Sequence, residues 1–144
     1  ADEATVDLIM RRVAKYADGW QTDATPVDTF RQRFQTIQEY AHQGGRNPST
    51  FDSCLHLMVN INNDRNKAYK EAEAFLVSYY GAGAVSRERA ELWLAYGPPE
   101  AVIEKIQAYI DAGCTTPVLR FVSPDLSGQL QRCIEEVLPA FRVK

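Results

Sequence analysis

Ala17-Asp18-Gly19-Trp20 stands directly behind an amphipathic segment that begins near the first residue. The stretch from Ala17 to Gln21 reads as a short strand without polar alternation, as in parallel strands covered on both faces. No strand precedes the helix in front of it, and the chain does not open on Met. The reading is therefore of a chain that opens inside a repeating strand–helix architecture, as a piece of a larger enzyme would.

The segments on either side repeat that alternation. Val6, Ile9, Met10 and Val13 recur at helical spacing over Glu3 to Tyr16. Thr25-Pro26-Val27-Asp28 starts a second helix, with Thr25 as the cap and Asp28 at its positive end. Its buried stripe is Val27, Phe30, Phe34, Ile37 and Ala41, and Gly44-Gly45 stops it. Cys54 to Ile61 is the strongest strand signal, closed by the polar Asn60, Asn62 and Asn63. Asp64 opens a helix carrying Ala68, Ala72, Phe75, Leu76 and Tyr79, broken at Gly81-Ala82-Gly83.

Ser86 to Ala95 predicts another helix, and Gly97-Pro98-Pro99-Glu100 begins the next, which ends near Gly113. Pro117 to Val122 is a third strand. Ser123-Pro124-Asp125 leads into a last helix with Leu126, Leu130, Cys133, Ile134, Val137 and Leu138 facing in, limited by Pro139. The alternation implies an α/β fold with a parallel sheet and right-handed crossovers. Three strands fall short of the usual four to six or so, and leave two edges open.

Composition excludes several classes. Apolar residues make up 45% and charged residues 24%, ordinary globular proportions. A net charge of -3 without a Lys/Arg cluster leaves no nucleic-acid footprint. No apolar run approaches the roughly 20 residues that span a bilayer. The dispersed Cys54, Cys114 and Cys133 suit reduced thiols and a cytoplasmic setting, and no metal set is expected.

Four segments, in order, carry a resemblance: Arg12-Val13-Ala14-Lys15-Tyr16-Ala17-Asp18-Gly19-Trp20, Gly45-Arg46-Asn47-Pro48, Gly97-Pro98-Pro99-Glu100-Ala101-Val102 and Val118-Leu119-Arg120-Phe121. Gln129-Leu130 and Glu135-Glu136-Val137-Leu138-Pro139 follow. Over essentially all of residues 1–144 the chain resembles the C-terminal part of bacterial-luciferase-like flavin monooxygenases, a family that includes oxidoreductases using the deazaflavin F420. The resemblance implies a partial (β/α)₈ TIM barrel: strands 6, 7 and 8 with their helices, and the helix before strand 6. A whole barrel takes about 250 residues. It also implies that the strand 5 turn that helps hold the flavin phosphate in many relatives is missing, with Ala1 just where that turn would end.

Barrel sites lie at the C-terminal ends of the strands. Trp20 either stacks on an isoalloxazine or packs at the top of the barrel. Gln21 and Thr22 stand before a helix N-terminus, where hydroxyls and N–H groups bind phosphate, although Asp23 would repel it. Arg120 sits in an apolar strand, for cofactor or substrate contact or for a structural ion pair. The candidate cofactor-binding residues are thus Trp20, Gln21, Thr22 and Arg120. The three asparagines serve either recognition or turn chemistry. No catalytic acid–base residue is expected, which suits FMN or F420 carrying the redox chemistry.

Two functions compete. One is a fragment of an FMN- or F420-dependent monooxygenase or oxidoreductase acting on a small organic substrate, inactive alone and binding no cofactor alone. The other is a non-catalytic half-barrel that self-associates, a homo-oligomer through its open sheet edges. A stand-alone flavodoxin-like domain ranks lower, for want of a Gly-rich or acidic first loop. A flat sheet with helices on both faces would favour that last reading, and an arc with polar ends on one rim the barrel.

Overall fold

The computed structural model describes residues 2–141. The expectation on Ala1 lies outside the described residues. The element order is α1 (Glu3–Tyr16), β1 (Gly19–Asp23), α2 (Val27–Gln43), β2 (Asp52–Ile61), α3 (Arg65–Tyr80), α4 (Arg87–Trp93), β3 (Leu94–Gly97), α5 (Pro99–Asp111), β4 (Thr116–Phe121) and α6 (Leu126–Arg132). A π turn over Cys133–Val137 and a 3-10 turn over Leu138–Phe141 continue the last helix.

Every strand pair is parallel, and β2 is the hub. Cys54 pairs with Gln21 on one side and Thr116 on the other; Met58 pairs likewise with Leu94 and Arg120. Hence β4 runs along one edge of β2. β1 and β3 share the opposite edge, β1 beside the first half of β2 and β3 beside its C-terminal end. The sheet therefore has four strands rather than three. The fourth hides in Leu94–Gly97 because its apolar residues extend the pattern of α4. Leu94 already has extended backbone (φ -92°, ψ 132°), and pairing with Met58–Ile61 decides its state.

β1 also lies two residues later than the sequence reading, because Gly19 is the first residue to pair, opposite Asp52. A Cβ at Gly19 would sit 2.8 Å from the Asp52 carbonyl oxygen, so the Asp-Gly-Trp glycine answers a close backbone approach. Arg46 gives the Gly-Arg-Asn-Pro segment its reason. Its guanidinium donates to the Ala14 and Ala17 carbonyls at 2.8 and 2.7 Å, satisfying the C-terminus of α1.

The two sheet faces carry different layers. Leu55, Leu57, Val59 and Ile61 point to an outer face packed by Phe30 of α2, by Val102, Ile106 and Tyr109 of α5, and by Cys133 and Val137. The alternate residues Cys54, His56, Met58 and Asn60 point to an inner face. Its C-terminal half is covered by α3 and α4, through Ala72, Leu76, Ala90 and Trp93 against Met58, Leu94 and Val122. Among the described residues no helix covers its N-terminal half: Gln21 is exposed and Cys54 half-buried above an open cleft.

Three other expectations are corrected. Thr25 does not cap α2; its hydroxyl donates to the Asp23 carbonyl at 2.8 Å, and Pro26 takes the cap position without a side-chain bond. Leu126, Leu130, Ile134 and Leu138 do not face in but are exposed, at 56, 51, 43 and 39%. Cys133 and Val137 of the same set are buried as expected, and Gln129 is buried with them. Tyr79 and Ile9, placed on buried stripes, are exposed as well. Gly113 does follow α5 in a left-handed conformation (φ 101°).

Lys105 on α5 reaches back to the end of α4 and donates to the Glu91 and Leu94 carbonyls, both at 2.6 Å. Burial pulls its pKa down to about 8, while nearby Glu91 opposes the shift. Between about pH 8 and the ordinary value of 10.5 the unfolded chain binds more protons than the folded one, so stability rises with pH across that window. Lys105→Met is expected to flatten this slope. Urea midpoints for both proteins at pH 7 and pH 9.5 check it; parallel slopes would contradict it.

Candidate functional site

Parallel strands place all their C-terminal ends on one rim, and the rim here holds two polar groups. The first follows β1. The Thr22 and Thr25 hydroxyls lie 2.9 Å apart, and both also reach the Asp23 carbonyl. Ala24 turns the chain with a left-handed φ of 37°. The Asp23 carboxylate accepts from Arg89 of α4 at 3.1 Å. That pair offsets the repulsion that Asp23 would exert on a phosphate. Arg89 is 66 residues away in sequence, and only the fold of α4 over the inner face brings it there.

The second group closes the gap between β2 and β4. Asn60 is fully buried, and its Nδ2 donates to Glu71 Oε2 at 3.0 Å and to the Val122 carbonyl at 2.9 Å. The Ser123 hydroxyl reaches the same Glu71 oxygen at 3.3 Å. With both amide hydrogens directed to acceptors the orientation of Asn60 is fixed. Its Oδ1 is then left without a partner among the described residues. Asn62 and Asn63 do turn and tether work: Asn62 accepts from the Asp64 N–H, and Asn63 accepts from Arg132. Asp64, not an asparagine, caps α3. Sequence reading missed Glu71, Ser123 and Arg89 because each acts through a contact across the fold.

The four candidate residues do not converge. Trp20 points to the outer face, where its ring lies 5.1 Å from that of Phe30 between two hydrophobic clusters. That is the packing alternative, and it removes Trp20 from the inner face. Thr22 shares that side by strand alternation, with its hydroxyl committed to Thr25 and Asp23. Gln21 and Arg120 share the inner face. They lie two strands and four residues apart, about 16 Å at ordinary sheet spacings.

Arg120 is half-buried, and its guanidinium stands free of any carboxylate partner among the described residues. The parallel-stacked rings of Phe75 and Tyr79 form a platform under its guanidinium, at 5.1 and 4.5 Å. The ion pairs among the described residues do not include it, so the structural ion pair is not formed. It borders a cleft of about 470 Å³ with Phe121, Leu126, Ser127 and Leu130. No group of three or more His, Cys, Asp or Glu side chains could hold a metal among the described residues, and no described helix is long and apolar enough to cross a membrane. The three cysteines are free thiols.

Comparison with known proteins places this geometry. The family model of the luciferase-like monooxygenases matches residues 4–116, most of the chain. No curated protein matches. Among solved structures, an F420-dependent secondary alcohol dehydrogenase in complex with an F420–acetone adduct superposes with a TM-score of 0.78 at 19% identity, over 95% of this chain and 47% of its own. The coenzyme F420 dependent tetrahydromethanopterin reductase of Methanopyrus kandleri gives 0.70 at 20% identity, over 94% and 49%. A long-chain alkane monooxygenase gives 0.65 at 22%, over 94% and 40%.

The chain thus spans less than half the length of each of these relatives, and its sheet and helices are those of part of a TIM barrel. The inner-face helices belong to that likeness, since the superpositions cover nearly the whole chain. The chain belongs to the luciferase-like monooxygenase family.

Proposed function

We propose that this chain is the C-terminal arc of an oxidoreductase that uses FMN or F420 on a small organic substrate, and that alone it binds cofactor weakly or not at all. The family match over residues 4–116 carries this reading. The site chemistry agrees with it: the rim offers hydrogen-bonding groups and an unpaired guanidinium but no nucleophile with an adjacent base. The cofactor would supply the redox chemistry, and the protein would orient it.

Of the candidate residues, Arg120 and Gln21 fit a bound cofactor or anionic substrate best, because their polar ends are free on the inner face. Thr22 fits only if its hydroxyl gives up Thr25, and Trp20 acts by packing behind β1. A pocket needs groups converging from several strands, which one arc does not supply.

The test has two parts. Purified chain is scanned for flavin or deazaflavin absorbance and titrated with FMN and with F420; the proposal expects no bound cofactor and negligible affinity. In the complete barrel, Arg120→Met is expected to weaken binding of the anionic ligand roughly 10-fold, the loss of one hydrogen bond to a charged group. Stoichiometric cofactor in the 144-residue chain would refute the fragment reading. An unchanged affinity in Arg120→Met would remove Arg120 from the site. The two sheet edges left open among the described residues favour self-association with another copy of the chain as a second role.

A further inference from the structure

The outer edge of β3 carries two cations side by side. The Gly97 carbonyl accepts from the Asn62 N–H on the β2 side. By strand alternation the Leu94 and Tyr96 carbonyls point the other way, to an edge with no strand among the described residues. Lys105 donates to the Leu94 carbonyl and to that of Glu91, both at 2.6 Å, and Arg65 donates to the Tyr96 carbonyl at 3.4 Å. Alternate carbonyls on one strand edge lie about 7 Å apart, and the two cationic heads are spaced accordingly. Both line one cleft of about 300 Å³, together with Glu91, Tyr96 and Glu104.

The two heads offer different chemistry. Two carbonyls take two of the Lys105 hydrogens, which leaves the lone pair of the neutral amine unbonded. With burial pulling its pKa to about 8, roughly a quarter of Lys105 is neutral at pH 7.5, against about 0.1% of a lysine at its ordinary value. The charge of Arg65 works in the same direction as burial, and that of Glu91 against it. The Glu91 carboxylate is engaged, accepting from the Tyr96 hydroxyl at 2.9 Å and standing 3.9 Å from Arg87. Glu104, the residue before Lys105 on α5, is exposed. Arg65 has no carboxylate partner among the described residues, and its guanidinium lies over the Tyr96 ring at 4.4 Å. Gly97 gives it room, since a Cβ there would sit 3.4 Å from its Cγ and Nη1. An amine nucleophile beside an unpaired guanidinium suits an electrophile whose leaving group is a phosphate.

We propose that Lys105 is an acylation site whose donor is a small acyl phosphate, with the phosphoryl group on Arg65 and the acyl carbon before the Lys105 amine. The nitrogen lone pair forms the new C–N bond. The acyl carbon–oxygen bond breaks, and its electron pair leaves with inorganic phosphate. The surplus proton on nitrogen passes to that phosphate or to water, so no further reactant is needed. The product amide carries no charge and has one N–H for two carbonyls, which weakens the tie from α5 to the end of α4. The site lies on the β3 edge, across β2 from Arg120, and does not depend on the cofactor reading.

Acetyl phosphate is the probe, added to the full 144-residue chain and followed by site-resolved mass spectrometry. Lys105 is expected to gain acetyl roughly 10-fold or more faster than Lys67 and Lys70, which are exposed on α3. The margin is smaller than the difference in neutral amine because a less basic nitrogen attacks more slowly. The rate at Lys105 should level off above a midpoint of about pH 8, and denaturing urea should abolish its advantage. Arg65→Gln should lower the acetyl phosphate rate at Lys105, taken relative to its rate with uncharged p-nitrophenyl acetate, roughly 5-fold or more, and Arg65→Lys should restore most of it. That ratio cancels any change in Lys105 protonation, since both reagents meet the same amine. Arg65 is exposed, so neither variant disturbs the core. Lys105 reacting no faster than Lys67 and Lys70 would overturn the acylation site. A ratio unchanged in Arg65→Gln would overturn the phosphate-bearing donor.

Discussion

Phe30→Ala is expected to lower the unfolding free energy by about 3–5 kcal/mol. Phe30 is fully buried and joins three elements. Its ring lies 5.1 Å from Trp20 on β1, 6.5 Å from Phe34 in its own helix and 5.8 Å edge-on to Tyr109 of α5. Tyr109 in turn donates its hydroxyl to the Thr25 carbonyl at 2.7 Å, closing the turn after β1. Removing the ring opens a cavity that fixed strands on one side and two helices on the other cannot collapse to fill. A domain of this size holds about 5–15 kcal/mol in total, so the variant would be close to unfolding at room temperature. Urea denaturation reads the change. A loss under about 1 kcal/mol would mean that α2 and α5 do not share this core.

Gln129→Leu is expected to cost about 2–3 kcal/mol although it replaces a polar residue by an apolar one of similar size. Gln129 is buried, and its amide accepts from the Ile61 N–H at 2.7 Å and donates to the Ile61 carbonyl at 2.9 Å. The side chain imitates one more strand residue at the end of β2. The leucine variant strands the Ile61 N–H in the core, while the carbonyl keeps Arg132 at 3.0 Å. An asparagine, one methylene shorter, should not rescue; a glutamate should rescue only in part, because it can accept but not donate. Equal stability of the leucine variant and the parent would show that Ile61 finds another partner.

Gln129 also marks the limit of what could be read from sequence. The sequence reading of the last helix takes Cys133 and Val137 inward together with the leucine row, because periodicity alone does not separate two adjacent apolar rows. A glutamine bonded to a strand end 68 residues away stands on the row that is buried. No local pattern contains that information. α1 was legible from its apolar spacing, and α3 and α5 because their starts are signalled locally, by Asp64 and the Pro98-Pro99 pair. β2 was legible because it is long and its C-terminal half is buried on both faces. β3 was not, since four residues that continue the apolar run of a helix become a strand only by lying beside Met58–Ile61.

The site divides in the same way. Arg120 stood out as a charge in an apolar strand, and the fold gives it an aromatic platform instead of a carboxylate. Asp23 looked unfavourable to an anion because Arg89 is remote in sequence. Trp20, the most conspicuous residue of the opening segment, packs its ring against Phe30 between sheet and helix, as large aromatics at such contacts commonly do. Motif order carried the family; side-chain placement needed the tertiary contacts.

Amide hydrogen exchange on the monomeric chain at low micromolar concentration tests the open arc most directly. Slow exchange is expected along Cys54–Val59, flanked on both sides, with alternate fast and slow amides in Gly19–Asp23 and Thr116–Phe121, each paired on one side only. Uniformly slow exchange through both outer strands of a monomer would mean that the sheet is closed, and that no barrel has been interrupted.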